Sequence, residues 1–193
     1  MLSLRSPDPA ALDALLDDES ERELTYRDTG ARFGKFPPGF RHDAYVHPLG
    51  NGRDVFELAC DGLRRWEAHR AAGVLLTPAT PELRAGTTLL VQTRVGPVHV
   101  VGGCRIVHVV DEPGRFGFVY GTLPSHPEVG EEAFTVVDGD GGVRFEVMAV
   151  SRWREPLVRL ASPLARAVQV RTTRRYLRGL ADFVARGDRT VGS

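Results

Sequence analysis

The residue types that can do chemistry are concentrated in one stretch, residues 120–134, which holds a histidine, three carboxylates and a phenol. A histidine moves protons near neutral pH, and a carboxylate held among apolar groups can serve as a general acid or base. Two prolines and two glycines in the same stretch predict a strand, a turn and a second strand. A turn requires none of these polar groups, so we interpret them as lining a pocket.

Glu132 and His126 are the two candidate catalytic residues. Strand alternation puts Glu132 on the same face as Phe134, where desolvation would raise the pKa of an inward carboxylate. The alternative is that Glu132 lies near a strand end and reaches water. His126 could carry a proton, but without an orienting partner we favour a turn histidine that bonds the loop backbone. Glu128 and Glu131 are expected at the surface.

The candidate ligand-binding residues come from this stretch and from the predicted C-terminal helix. Tyr120 is expected to pack its ring in the sheet and to give its hydroxyl one polar partner. Arg166 and Gln169, on an inward helix stripe with Thr173, could hold a carboxylate or carbonyl group, unless this helix end projects beyond the sheet. The full set is Tyr120, Glu132, Arg166, Gln169, Phe118, Phe134 and Trp66.

Patterns for metals, nucleotides and serine nucleophiles are missing from the sequence. The histidines form no His-Glu-x-x-His motif, and the two cysteines, Cys60 and Cys104, are far apart. There is neither a phosphate-binding loop with its lysine nor a Gly-x-Ser-x-Gly elbow. We therefore expect no metal and no cofactor.

Charge and hydrophobicity indicate an ordinary globular protein. The 193 residues include 25 basic and 25 acidic side chains, so no overall charge favours nucleic acid or a membrane surface. No run approaches the roughly 18 apolar residues of a membrane span, and the first residues lack an apolar signal core. We expect a cytoplasmic protein with reduced cysteines. Arginine supplies all basic residues except Lys35, which suggests a bacterial genome rich in G and C.

Two helices are predicted ahead of the main strands. Asp8 followed by Pro9 favours a short helix, because the first residue can cap it and the second can begin it. The acids that follow are expected to be its solvated end. Asp54 with Glu57 three residues later resembles a capping box for a second helix. The apolar face of that helix would consist of Val55, Phe56, Ala59, Leu63 and Trp66.

A strand is predicted at 44–49, and from Thr87 onward apolar residues recur every second position, which is typical of strands. Short turns rich in glycine join these strands, so consecutive strands should pair antiparallel. Gly102-Gly103 suggests a bulge or a bend. The five predicted strands of this meander are 87–95, 97–110, 115–122, 130–138 and 143–153.

A long helix is predicted from Ser162-Pro163 to about Arg186. The second half of its inward stripe is conventional core, whereas the first half is polar. The order of strand, helix, five-strand meander and long helix predicts an α+β helix-grip fold, a curved antiparallel sheet wrapped around the C-terminal helix, with a short N-terminal helical extension. We divide the chain into an N-terminal helix and loop (1–40), the helix-grip domain (41–187) and a tail (188–193).

The chain contains the motifs Tyr120-Gly121-Thr122-Leu123-Pro124, Gly130-Glu131-Glu132-x-Phe134, Asp111-Glu112-Pro113 and Ser151-Arg152. Together these motifs resemble the domain-of-unknown-function family numbered nineteen-ninety, found in bacteria and plants. Trp153 departs from the pattern, since a small residue or proline is expected there. The element order is similar to the START and polyketide-cyclase group. That resemblance implies a START-like cavity for an apolar or aromatic molecule, and for only some members catalysis.

We therefore expect a protein that binds a small, largely apolar, aromatic or lipid-like molecule between the sheet and the C-terminal helix. The alternative is an enzyme of cyclase, dehydratase or hydrolase type that uses the same cavity for acid and base chemistry. A second alternative is an interaction module for protein or nucleic acid on an arginine face of the last helix, although nucleic acid is disfavoured. A homodimer is compatible with the sequence. That arginine face consists of Arg171, Arg174, Arg175 and Arg178.

Overall fold

The computed structural model describes residues 2–27, 38–154 and 162–191, which form one sheet and four helices within these ranges. In chain order the elements are β1 (Leu2–Ser3), α1 (Pro9–Ser20), β2 (Arg41–Gly50), α2 (Arg53–Arg64), α3 (Glu67–Ala71), β3 (Leu75–Thr77), β4 (Thr88–Val95), β5 (Val98–Glu112), β6 (Arg115–Thr122), β7 (Glu128–Gly139), β8 (Gly142–Trp153) and α4 (Ser162–Val191).

The sheet is antiparallel, with strand order β2-β8-β7-β6-β5-β4-β3, and β1 pairs with β5. The five strands of the meander were predicted to within two residues at nearly every end. The bulge expected at Gly102-Gly103 is wrong, because the register with β4 continues there and shifts instead between Ile106 and His108. The two glycines serve close packing, since a Cβ on Gly102 would collide with the His126 ring.

α1 begins as predicted, with Asp8 accepting from the Ala10 amide at 3.4 Å and proline at the first helical position. Leu12 packs with Leu90 on the sheet face opposite α4. The expectation of a solvated acidic end is wrong at Glu19, which is 2% exposed. Its carboxylate accepts the Ser125 amide at 2.7 Å, so α1 is joined to the turn between β6 and β7.

α2 and α3 cover one end of the sheet face that α4 crosses. The capping box predicted at Asp54 is wrong, because the helix begins at Arg53 with Gly52 as its N-cap. Trp66 lies between the two helices, fully buried, with its indole N–H donated to the Pro81 carbonyl at 2.9 Å. α3 and the short strands β1 and β3 were not predicted. The residues of α2 that face the core are Val55, Ala59, Cys60 and Leu63.

The two halves of α4 pack in different environments. Leu177, Leu180 and Val184 in the second half are buried in the main core against α2 and α3. Gln169 and Thr173 in the first half face the other end of the sheet, where no described helix fills the space between. α4 continues to Val191, beyond the predicted end at about Arg186, so the predicted tail of 188–193 is helical as far as Val191. Residues 192–193 and the side chain of the predicted cap at Ser162 lie outside the described residues.

Candidate functional site

A cavity of about 530 Å³ lies between the first half of α4 and the end of the sheet that α2 and α3 leave uncovered. Its volume is in the range of small-molecule sites. Four of the lining valines lie on β4 and β5, whereas the acidic groups of the lining lie on β7. The apolar lining includes Val91, Val95, Val98, Val100, Ala149, Trp153 and Val168.

Glu132 and Tyr120 form the deepest polar pair of the cavity. They are direct cross-strand partners on β7 and β6, and the Tyr120 hydroxyl donates to Glu132 Oε2 at 2.7 Å. Burial raises the pKa of Glu132 to about 7, although the bond from Tyr120 acts in the opposite direction. Tyr176 of α4 lines the same region, and burial beside Glu132 raises the pKa of its phenol. The Glu132 carboxyl is therefore poised to gain or lose a proton near neutral pH.

His69 extends this pair into the core, and sequence reasoning missed it. The imidazole is fully buried on α3, with its Nε2 3.5 Å from the Tyr120 hydroxyl oxygen. Burial lowers the pKa of His69 to about 3, so the ring is neutral at physiological pH. α3 has only five residues, and so short a helix gives no periodic signal that could have drawn attention to it.

Glu128 also lines the cavity, which corrects the expectation that it lies at the surface. Its Oε2 accepts the Ser151 hydroxyl at 2.5 Å and the Gln169 amide at 3.2 Å. Burial raises the pKa of this carboxyl. The reason is that β7 begins at Glu128, two residues earlier than predicted, so Glu128 shares the inward face with Glu132. Glu131 is half-buried and also contributes to the lining, so it too is not an open surface residue.

Gln169 lines the cavity, whereas Arg166 lies beyond its wall. Both terminal nitrogens of Arg166 donate to the two oxygens of Asp43 on β2 at 2.5 Å, and one also donates to Gln169 Oε1 at 2.9 Å. The guanidinium already holds a carboxylate from within the chain. We therefore no longer include Arg166 among the ligand anchors.

The predicted aromatic walls lie behind the cavity surface. Trp66, Phe118 and Phe134 are almost fully buried in the core and are not among the lining residues. Phe134 contacts both lining rings, with centroid distances of 5.5 Å to Tyr120 and 5.2 Å to Tyr176. These three aromatic side chains therefore pack behind the polar groups and do not line the cavity.

His126 lines the cavity from the turn before β7. Its Nδ1 accepts the backbone N–H of Glu128 at 3.1 Å, as the turn-histidine interpretation predicts. Burial lowers the pKa of His126 to about 4, so the ring is neutral at pH 7. His126 is thus less suited than Glu132 to proton transfer.

Within residues 2–27, 38–154 and 162–191, no three histidine, cysteine or acidic side chains are grouped to hold a metal ion. No helix of the described part combines the length and the apolar character that spanning a bilayer requires. The arginine face of α4 is exposed, and its role as an interaction surface stays a prediction.

One protein family and several individual proteins are similar to this chain in sequence. A family model described as "Domain of unknown function (DUF1990)" matches residues 25–179, the family that the motifs resembled. A UPF0548 protein of Deinococcus radiodurans is 34% identical over 194 residues, covering 93% of this chain and 97% of the relative. A UPF0548 protein of Dictyostelium discoideum is 25% identical and covers 88% of this chain and 89% of the relative.

Solved structures share the fold at low sequence identity. TTHA0849 from Thermus thermophilus has a TM-score of 0.53 at 16% identity, covering 77% of this chain and 98% of that one. Ara h 8.0201 has a TM-score of 0.50 at 10% identity, covering 76% and 99%. These neighbours are helix-grip proteins, so the predicted fold class is confirmed, and at such identities the likeness concerns the fold alone.

Proposed function

The chain belongs to the DUF1990 family of domains of unknown function, and from its site we propose that it binds a small, largely apolar molecule in the cavity beneath α4. The observation that carries this proposal is the combination of an apolar wall with a few convergent polar groups in about 530 Å³. Ligand sites of small molecules have this composition, because apolar area supplies affinity and a few polar groups fix orientation.

The position of the cavity supports the proposal as well. α2 and α3 pack tightly on one end of the sheet face, where leucine and aromatic side chains are fully buried. Among the described helices only α4 covers the other end, where valines line the cavity. Apolar surface in a concave pocket favours an apolar occupant, because binding removes that surface from water.

Filling the cavity from the sheet side tests the proposal. Ala149 lines the cavity from β8, and Ala44 on β2 is exposed. Ala149→Phe should abolish the response of Trp153 fluorescence to libraries of apolar and aromatic compounds, whereas Ala44→Phe should bind as the wild type does. Native mass spectrometry of freshly purified protein should show a bound mass in the second variant and in the wild type. An empty wild-type chain that also shows no fluorescence response would contradict the proposal.

Acid and base catalysis in the same cavity is a second candidate, and the raised pKa of Glu132 favours it. A carboxyl that titrates near pH 7 beside an apolar site can accept a proton in one step and return it in the next. The same samples separate the two functions. A binding protein returns its captured compound chemically unchanged after extended incubation, whereas an enzyme converts it.

A further inference from the structure

The described residues that line the cavity include the acidic side chains of Glu128 and Glu132 but neither arginine nor lysine. His126 is neutral at pH 7 because burial lowers its pKa to about 4. The nearby charge of Arg166 is offset by its bidentate pair with Asp43. The polar end of the cavity is therefore negative.

The donors around the two inner carboxylates are already in use. Tyr120 donates to Glu132, while Ser151 and Gln169 both donate to Glu128. Thr173 donates to the Gln169 carbonyl at 3.1 Å. The hydroxyl hydrogens of Tyr120, Ser151 and Thr173 and one amide hydrogen of Gln169 are thus already used within the wall.

Acceptor capacity remains on both carboxylates. In each of Glu128 and Glu132, Oε2 takes the hydrogen bonds named above and no described residue donates to Oε1. Neither Oε1 is among the fully buried polar atoms without a partner, so both can be reached from the cavity that they line. An ionised carboxylate accepts several hydrogen bonds and donates none. An occupant that offers donors would satisfy these atoms.

Positive charge on the occupant would add to that effect. Burial of a carboxylate without a positive partner costs free energy, and here that cost is visible as the raised pKa of both groups. A cation brought in by the ligand would serve as a counter-ion inside the cavity, where the described lining has neither arginine nor lysine. A ligand carboxylate would instead face like charge and meet few free donors.

We propose that the cavity takes an amphiphilic amine, with its protonated nitrogen on the free oxygens of Glu128 or Glu132 and its apolar part along the valine wall. This inference rests on the proposed function, because it specifies the ligand class of the same cavity. It differs from the sequence expectation that Arg166 and Gln169 hold a carboxylate or carbonyl group.

A matched series of decylamine, decanol and decanoate tests the inference at pH 8, with Trp153 fluorescence and calorimetry as readouts. The three probes share one chain length and differ in the polar end. Decylamine should bind at least about tenfold more tightly than decanol, because charge-assisted hydrogen bonds are stronger than neutral ones. Decanoate should bind most weakly. Decanoate binding as tightly as decylamine, or equal binding of all three, would overturn the inference while leaving the proposed function in place.

Substitutions that remove the charges of Glu128 and Glu132 test whether these two groups cause the preference for the amine. Glu128→Gln/Glu132→Gln should reduce the advantage of decylamine over decanol to within about threefold and should keep decanol binding. Glu112→Gln removes an equal charge from the exposed end of β5 and should leave the wild-type order unchanged. An amine preference that survives the double substitution would overturn the inference. If none of the three probes binds, the proposed function itself is contradicted. If the double variant does not fold, the order of affinities for the three probes in the wild-type protein decides the inference.

Discussion

Glu132 shows how one buried carboxyl group can link stability to pH. Its facing groups are the phenols of Tyr120 and Tyr176, the buried thiol of Cys104 and the carboxyl of Glu128. None of these is a cation. Burial therefore decides the direction of the shift, and the pKa rises to about 7 from its ordinary 4.5.

We expect Glu132→Gln to stabilise the protein more at pH 8.5 than at pH 5. A raised native pKa means that the folded chain keeps a proton which the unfolded chain releases, so the associated stability is full below pH 4.5 and is lost as the pH rises through 7. Glutamine resembles the protonated acid and removes this loss. The gain should differ by roughly 1–3 kcal/mol between the two pH values in urea titrations.

Glu112→Gln is the control for this comparison, and its effect should stay within about 0.5 kcal/mol at both pH values because Glu112 is exposed. His69 and His126 have lowered pKa values and destabilise the fold as the pH falls below 6.5. They do so in both proteins, so their effect cancels. An equal gain from Glu132→Gln at pH 5 and pH 8.5 would show that the carboxyl titrates normally.

At the scale of single residues, the sequence predicted the side chains whose placement depends only on their neighbours along the chain. Glu132 and Tyr120 follow from strand alternation, which is a property of the strand itself. Glu128 was missed because the strand was started two residues too late, although the same alternation extends to it. His69 and Trp153 were missed because their positions depend on how distant elements pack.

At the scale of elements, α4 approaches α2 and α3 closely because small residues lie at the contacts. A Cβ on Gly179 of α4 would collide with the side chain of Ala71, and a Cβ on Gly62 of α2 would lie 2.6 Å from Leu180 Cδ1. This close contact holds the second half of α4 and leaves its first half as the cover of the cavity.

Gly179→Ala should destabilise the protein by about 1–2 kcal/mol. Alanine is the better helix former by about 1 kcal/mol, but overpacking a tight helix contact costs typically 1–3 kcal/mol and reverses that gain. Gly141→Ala is the control, since a Cβ there meets nothing within 4 Å. Chemical denaturation of both variants decides the sign, and a stabilised Gly179→Ala protein would show that the helices can separate without cost.

The strands of the meander were predicted well because alternation and turn chemistry are local signals. The polar first half of α4 was also visible in its inward stripe. The sequence did not show which elements pack against each half of α4. The reason is that α3 is short and that its packing against α4 joins residues more than 100 positions apart.

At the scale of the whole molecule, the sheet has apolar clusters on both faces. The larger one lies under α2, α3 and α4, and the smaller one joins Leu12 of α1 to Leu90 and Val101 on the opposite face. The family match begins at residue 25, so α1 precedes the matched region. The element order was enough to predict the helix-grip fold, since few architectures accommodate a meander followed by one long helix.

Leu12→Ala should lower the free energy of unfolding by about 2–3 kcal/mol, because it removes a side chain that is only 9% exposed. Binding in the cavity should be unchanged, since the substitution lies on the other face of the sheet. Leu4→Ala is the matched control and should be nearly neutral, as Leu4 is 75% exposed. Loss of cavity binding in Leu12→Ala at temperatures where it is folded would show that the two faces are coupled.

The bonds of Glu128 have a consequence for how the family can diverge. One carboxylate oxygen joins Ser151 of β8 to Gln169 of α4, so a group that lines the cavity is also the joint between sheet and helix. Replacing it alone would leave a buried hydroxyl and a buried amide unpaired, at a cost to folding. Relatives that acquired a different ligand preference should therefore have exchanged these three residues together, and an alignment of the family should show them covarying.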